Sequence, residues 1–174
     1  MPKEQPVFRA DGVALYTDPH NASELGRHDT LAGYLKSHLG RVHGGDRNGD
    51  YVALLAYIER NPQHEQALTA LRARIRDNTH AATCVGFGPR FQHSTGQAYK
   101  GGPNTGVFLQ ITCDDPADIA VPGHSFSFGV VKAAQARGDL EVLTERGRRT
   151  LRVHLTEVDA GLAKLGRALS TALR

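Results

Sequence analysis

The chain has 174 residues, a length that suits one domain with a sizeable hydrophobic core. With 40% hydrophobic and 22% charged residues, its composition excludes a fibre and a largely disordered chain. The net charge of +3 is mild and the basic residues are spread along the sequence, so we expect no nucleic-acid partner. No apolar run approaches the roughly 20 residues that cross a bilayer, and no secretory signal is present, so we expect a cytoplasmic protein with no membrane partner.

The first fifty residues predict little regular structure. Residues 1–49 begin with a stretch punctuated by Pro, Asp and Gly, and a single amphipathic segment follows, with one helical face formed by Leu31, Tyr34, Leu35 and Leu39. We therefore expect residues 1–49 to form a peripheral N-terminal segment and residues 50–174 to form the main domain. YVALLAYI, at the start of this domain, is short, continuously apolar and flanked by turn residues, which predicts a buried strand.

Strands and helices then alternate along the chain. Asn61 and Pro62 are typical of a helix start, and Leu68, Leu71 and Ile75 continue the helical spacing to about Arg76. AATCVGFG, TGVFLQIT and LRVHL predict three more strands. FGVVKAAQA and LEVLTERG predict two helices interrupted by Gly138 and Asp139, and the C-terminal run predicts a last helix with a stripe of Val158, Leu162, Leu165 and Leu169.

This alternation predicts an α/β fold, a three-layer sandwich with a largely parallel sheet. In such sheets ligands bind beyond the carboxyl ends of the strands. The loop GPRFQHSTGQAYKGGPN, residues 88–104, starts at one of these ends, after AATCVGFG. It carries a histidine, hydroxyls, amides, cations and glycines. A loop that only connects two strands needs far fewer polar residues, so we expect a functional loop.

Metal and disulfide chemistry are not indicated by the sequence. Cys84 and Cys113 both lie in apolar segments, so we expect buried free thiols. The nine histidines include no HExxH motif and no Cys/His pairing at ligand spacing, so we expect no metal site.

The same loop carries a family resemblance. HSTGQ, KGGPN and TGVFLQIT, together with FGVVKAAQARGDLEVLTERGRRTLRVHL, resemble the C-terminal part of glucose-6-phosphate isomerase. The likeness is closest to the isomerase half of bacterial transaldolase/glucose-6-phosphate isomerase fusion proteins and runs from about Asp50 to Leu155. It implies a sugar-isomerase (SIS) fold for residues 50–174 and interconversion of glucose 6-phosphate and fructose 6-phosphate without a metal or organic cofactor.

The resemblance also implies roles for individual residues. His93 matches the histidine that helps to open the sugar ring, and an imidazole can take and give a proton at neutral pH. Arg148 is the nearest match to a lysine on a late helix of the family, although arginine is a poor proton donor. The residues implied to contact substrate are Arg90, Ser94, Thr95, Gly96, Gln97 and Lys100. Ser94 and Thr95 could instead cap a helix, Gln97 could tie the loop down and Gly96 could serve a turn.

Two departures from the family pattern concern the base and the phosphate. The family glutamate is expected about twenty residues before the histidine, where this chain reads LRARIRDNTH. Glu59, Glu65 and Asp77 are alternative bases, and Glu59 is preferred because strand ends face the site in this architecture. No Ser/Thr-rich phosphate loop precedes the first strand, so the site is expected to be incomplete without an N-terminal subdomain.

Three hypotheses follow for the function. The first is an aldose-ketose isomerase segment that uses a sugar-phosphate substrate and is completed by the missing N-terminal isomerase subdomain or another polypeptide. The second is a non-catalytic phosphosugar-binding domain that kept the loop but not the base. The third is an interaction domain for transaldolase or for a partner isomerase subunit.

Overall fold

A computed structural model describes residues 4–43 and 49–174. Its strands are β1 (Phe8–Ala10), β2 (Val13–Tyr16), β3 (Tyr51–Tyr57), β4 (Ala82–Phe87), β5 (Gly106–Cys113) and β6 (Arg149–Leu155). Its α-helices are α1 (Pro19–Leu25), α2 (Leu31–Leu39), α3 (Pro62–Thr79), α4 (Thr95–Gly101), α5 (Phe128–Glu145) and α6 (Val158–Ala172), and a short 3₁₀ helix spans Arg90–His93.

The strands form one six-stranded sheet in the order β1-β2-β6-β5-β3-β4. β4, β3, β5 and β6 are parallel to one another, whereas β2 is antiparallel to β6 and β1 is antiparallel to β2. Helices cover both faces, so the predicted three-layer α/β sandwich with a largely parallel sheet is confirmed. None of the helices in the described ranges is long and apolar enough to cross a membrane.

Two hydrophobic cores lie on opposite faces of this sheet. β3 supplies both, because Val52, Leu54 and Ala56 point to one face and Leu55 and Tyr57 point to the other. This double burial explains why the strand reads as a continuous apolar run. The larger core packs against α2, α3 and α6, and the smaller core packs against α4 and α5.

The N-terminal segment is not peripheral, and this corrects the expectation for residues 1–49. β2 pairs with β6 at the edge of the parallel strands, and Val13, Leu15 and Leu35 are buried in the larger core. The hairpin turns at Asp11 and Gly12, which both have positive φ angles of 49° and 77°. Asp-Gly between two apolar runs is typical of a two-residue hairpin turn, so the sequence did contain a signal for it.

Helix α5 differs from the sequence prediction. It runs without a break from Phe128 to Glu145, through Gly138 and Asp139, where two shorter helices were predicted. An interior glycine costs a helix only about 1 kcal/mol. The carboxylate of Asp139 is buried and forms an ion pair with the Lys100 ammonium, an energetic reason to keep this position helical.

The chain reverses direction across the sheet beside β3. From β3 it crosses to β4 on one side, and it then returns to β5 on the other side. The carboxyl ends of β3 and β5 therefore diverge into opposite crossovers, which creates the crevice where α/β sheets of this kind bind ligands. The loop of residues 88–104 starts one strand away, at the carboxyl end of β4.

Candidate functional site at the carboxyl edge of the sheet

The loop of residues 88–104, here called the HSTGQ loop, is folded rather than extended. It contains the 3₁₀ helix Arg90–His93 and helix α4. Phe91 and Tyr99 anchor it by packing into the smaller core, where their rings lie 6.3 Å apart and the Tyr99 ring lies 5.4 Å from that of Phe108. One side of the loop is therefore fixed by aromatic packing.

Two glycines allow the loop to approach this core closely. A Cβ atom at Gly88 would lie 2.5 Å from Cζ of Tyr57, and one at Gly96 would lie 2.7 Å from the carbonyl oxygen of Phe91. Gly96 was predicted to contact substrate, but it is buried, and its lack of a side chain lets α4 pack against the 3₁₀ helix. The close approach of the Phe91 carbonyl therefore explains, on structural grounds, why a glycine occupies this position.

The opposite side of the loop faces solvent. His93, Ser94, Thr95 and Gln97 are all exposed. Ser94 Oγ donates to the carbonyl oxygen of Phe91 at 3.3 Å, and Gln97 Nε2 donates to that of Gln92 at 2.8 Å. The exposed His93 ring forms no hydrogen bond with another residue in the ranges 4–43 and 49–174.

Gln92 connects the exposed side of the loop to the core beneath it. Its Nε2 donates to the Tyr57 hydroxyl at 3.1 Å. Burial, followed by the charge of Asp139, raises the pKa of Tyr57 above its usual value, so the phenol keeps its proton at neutral pH.

An open cavity of about 460 Å³ adjoins the loop and is here called the β4 cavity. Arg90 and Ser94 reach it from the loop, while Arg60 and Glu65 reach it from the segment after β3. Arg60 Nε donates to Glu65 Oε1 at 2.5 Å, and its guanidinium lies 5.7 Å from the centre of the Phe87 ring. The cavity thus combines two guanidinium groups, a carboxylate and the hydroxyls of Ser94 and Thr69.

The three candidate bases occupy different places. Glu65 lines the β4 cavity with Arg90 and Ser94. The preferred candidate, Glu59, lies at the end of β3 as expected, but it lines a different cavity among other acidic side chains, Asp114, Asp115, Glu157 and Asp159. Asp77 pairs with Arg76 near the far end of α3. A glutamate four residues into a helix looked like a solvated surface group, so periodicity alone did not favour Glu65.

The two remaining predicted cations have structural partners away from the β4 cavity. Lys100 Nζ lies 2.6 Å from Asp139 Oδ1 and ties α4 to α5. Arg148 is 5% exposed and donates to the carbonyl oxygens of Lys100 and Gly102 at 2.8 and 2.5 Å. Arg148 precedes β6, at the amino edge of the parallel strands, so the structure does not bring it together with His93 or Glu59.

Thiols and possible metal ligands complete the inventory of reactive groups. Cys84 and Cys113 are free and half-buried, and Cys84 Sγ lies 3.2 Å from the Tyr99 hydroxyl. Burial raises the pKa of the Cys113 thiol, which keeps it protonated at neutral pH. Within the described ranges, no three His, Cys, Asp or Glu side chains are grouped so that they could hold a metal ion.

Comparison with known proteins supports the fold alone. No protein-family model matches the chain, and no curated protein matches its sequence. The fold is similar to the crystal structure of a hypothetical protein from Thermus thermophilus, with a TM-score of 0.63 and 15% sequence identity. The match covers 82% of this chain and 39% of the Thermus protein, so this chain spans less than half of that protein's length. The resemblance to glucose-6-phosphate isomerase stays a prediction.

Proposed function

We propose that the chain is the C-terminal part of a cytoplasmic aldose-ketose isomerase that interconverts glucose 6-phosphate and fructose 6-phosphate. The proposal rests on one observation together with the motif resemblance. The HSTGQ loop and the start of α3 border a common open cavity, in which Arg90 and Ser94 face Arg60 and Glu65. These are the group types that bind a phosphate, orient sugar hydroxyls and move a proton.

The proposed mechanism gives separate roles to the loop histidine and to a carboxylate. His93 opens the sugar ring by exchanging a proton with the ring oxygen and the anomeric hydroxyl. A carboxylate then moves a proton between C1 and C2, and nearby cations stabilise the enediolate. We assign the carboxylate role to Glu65 rather than Glu59, because only Glu65 shares a cavity with the HSTGQ loop.

Arg60 would have two successive partners in this scheme. Without substrate its guanidinium neutralises Glu65 across 2.5 Å. A bound phosphate would draw Arg60 and Arg90 together and free the carboxylate to act as a base. Both arginines are exposed, so such a rearrangement requires no change in the core.

The test is proton exchange catalysed by the purified chain, alone and with a separately supplied N-terminal isomerase subdomain. Fructose 6-phosphate in D₂O is followed by NMR for deuterium entry at C1, and glucose 6-phosphate formation is followed by a coupled assay. We expect exchange to fall at least 100-fold in His93→Ala and in Glu65→Gln, which matches the usual size of general acid/base contributions.

Matched variants make the result specific. His20→Ala removes another exposed histidine, and Glu59→Gln removes the carboxylate at the end of β3; both should retain activity within about twofold. Full activity in His93→Ala would refute the histidine role. Loss of activity in Glu59→Gln with retention in Glu65→Gln would restore Glu59 as the base.

A second candidate is a non-catalytic phosphosugar-binding domain. The ion pair between Arg60 and Glu65, and the structural partners of Lys100 and Arg148, favour it because they leave few unpaired catalytic groups. Calorimetric titration with fructose 6-phosphate separates the two functions. Binding without exchange, under both protein conditions, would favour the binding domain, and the absence of both heat and a thermal shift at millimolar ligand would exclude it.

A further inference from the structure

A second cavity, of about 250 Å³, lies between α5 and the N-terminal hairpin. It is here called the hairpin cavity. Its wall includes Tyr57 and Cys113, the last residues of β3 and β5, so it opens at the crevice where the crossovers diverge. Arg90, Ser94 and Glu65 are not among its lining residues, which separates it from the β4 cavity.

The most buried cation in its wall is Arg152, in the middle of β6. Its side chain is only 8% exposed, and its guanidinium lies 4.4 Å from the centre of the Tyr16 ring. Its NH2 group donates to Glu4 Oε2 at 2.7 Å, whereas its buried Nε has no hydrogen-bond partner among the described residues. A buried donor without a partner is costly, so an acceptor placed here would bind favourably.

Two further cations and a hydroxyl lie in the same wall as this guanidinium. Lys132 and Arg137 extend from α5, and Thr112 supplies a hydroxyl. Lys132 pairs with Asp115, and Arg137 pairs with Glu141 at 2.8 Å, so these cations are held in position.

Glu4 occupies the position of a competing anion. Its side chain is 36% exposed, so its carboxylate can turn from Arg152 to solvent when a ligand arrives. Once Glu4 is displaced, Arg152 has no carboxylate partner among the described residues, whereas Lys132 stays paired with Asp115 and Arg137 with Glu141. The one uncompensated positive charge, beside two paired cations, favours an oxyanion.

We propose that the hairpin cavity is a binding site for a phosphoryl group, carried by a small phosphate ester or by free phosphate. Arg152 binds its oxygens through Nε and the outer nitrogens, Lys132 and Arg137 supply charge, and Glu4 competes with the ligand. The planar guanidinium fork suits a tetrahedral oxyanion. This site is independent of the proposed isomerase site and does not require His93.

The first measurement is titration of the chain with inorganic phosphate at pH 7.5, followed by two-dimensional NMR and calorimetry. We expect saturable binding with the largest shifts at the amides of Thr112 and Arg152. Glu4→Gln should bind phosphate about 5- to 10-fold more tightly, because it removes the competing carboxylate. Arg152→Lys should bind about 10-fold more weakly, because a lysine loses the fork.

Three further variants make the test specific to the hairpin cavity. Lys132→Met changes a residue near the start of α5 and should weaken binding about threefold, even if Arg152→Lys fails to fold. Arg146→Met removes an exposed arginine elsewhere and should leave the affinity within twofold. His93→Ala should also leave it unchanged, which distinguishes this site from the isomerase site.

Parallel titrations with inorganic phosphate, fructose 6-phosphate, sulfate and acetate identify the class of ligand. Tighter binding of the sugar phosphate than of phosphate identifies an ester site, and the reverse identifies a phosphate site.

Several outcomes would contradict a phosphoryl site in the hairpin cavity. Acetate binding as tightly as phosphate would overturn the proposal. It would also be overturned by weaker or unchanged binding in Glu4→Gln, by shifts confined to Arg90 and Ser94, or by no saturation at 50 mM phosphate.

Discussion

Polar side chains have different environments at the two ends of the parallel strands. At the amino ends, Arg149 donates to both carboxylate oxygens of Asp50 at 2.5 and 3.0 Å, and Asn21 exchanges hydrogen bonds with the backbone of Arg148 and Thr150. At the carboxyl ends, His93 and its loop neighbours are exposed. Polar groups at the amino edge thus hold the fold together, whereas the exposed polar groups of the HSTGQ loop remain available to a ligand.

Histidines illustrate this difference within one residue type. His38 is fully buried, its Nε2 donates to the carbonyl oxygen of Phe108 at 3.1 Å, and its Nδ1 accepts from Arg41 at 2.6 Å. Burial, and then the charge of Arg41, lower the pKa of His38 to about 3. Its ring is therefore a neutral structural element, whereas the His93 ring meets solvent. Histidine identity alone does not indicate a catalytic role.

Removal of the amino-edge carboxylate should have the largest effect on stability. Asp50→Ala leaves the guanidinium of Arg149 without its bidentate partner, and we expect the free energy of unfolding to fall by about 4 kcal/mol. Urea unfolding measures it. Asp77→Ala is the matched control, because its pair with Arg76 is exposed and should cost under about 0.5 kcal/mol. Equal losses in the two variants would contradict the structural role of Asp50.

Acid should destabilise the protein through His38. The unfolded state binds a proton near pH 6.5 and the folded state only near pH 3, so stability is complete above pH 6.5 and falls as the pH drops toward 3. The slope for one such group is about 1.4 kcal/mol per pH unit, which predicts a loss of about 3 kcal/mol between pH 7 and pH 4.

The measurement is urea unfolding at several pH values, compared with His38→Gln, which should flatten the profile. Burial opposes ionisation of Asp50, but hydrogen bonds from Arg149 and His43 outweigh it and lower the pKa of this carboxyl to about 2. Asp50 therefore contributes pH dependence only below about pH 4, outside the window tested. An unchanged slope in His38→Gln would assign the effect to another group.

A methyl group at the buried loop glycine should have an intermediate effect. Gly96→Ala places a Cβ atom 2.7 Å from the backbone oxygen of Phe91, which cannot move as a flexible side chain would. We expect a loss of about 2 kcal/mol together with altered NMR shifts throughout α4. Gly101→Ala lies in the same helix, and its new Cβ comes within 4 Å of no atom beyond its chain neighbours and its own helix backbone, so it should be neutral or slightly stabilising.

The smallest effect is expected for the exposed histidine. His93→Ala should change the free energy of unfolding by less than about 0.5 kcal/mol, because the ring forms no hydrogen bond with a described residue. Thermal unfolding with and without fructose 6-phosphate is the measurement, and the ligand-induced shift should shrink in the variant. Destabilisation above about 1 kcal/mol without ligand would make His93 a structural residue and remove the contrast between the two edges.

Local sequence signals predicted the regular elements in the main domain well. The caps at Asn61 and Pro62 and the stripe ending at Leu169 correspond to helices α3 and α6. The apolar runs correspond to β3, β4, β5 and β6. Signals over a few residues were less reliable where tertiary partners intervened, as at Gly138 and Asp139, where burial and the Lys100 ion pair keep α5 continuous.

The sequence by itself determined the fold class, the strand positions and the location of a polar loop at a strand end, because apolar periodicity and turn chemistry are local. Only the tertiary structure decided which side chains meet. Glu65 faces the loop while Glu59 faces other carboxylates, and Arg152 and Glu4, 148 positions apart, border one cavity. Such encounters depend on strand order and helix packing, which no short stretch of sequence encodes.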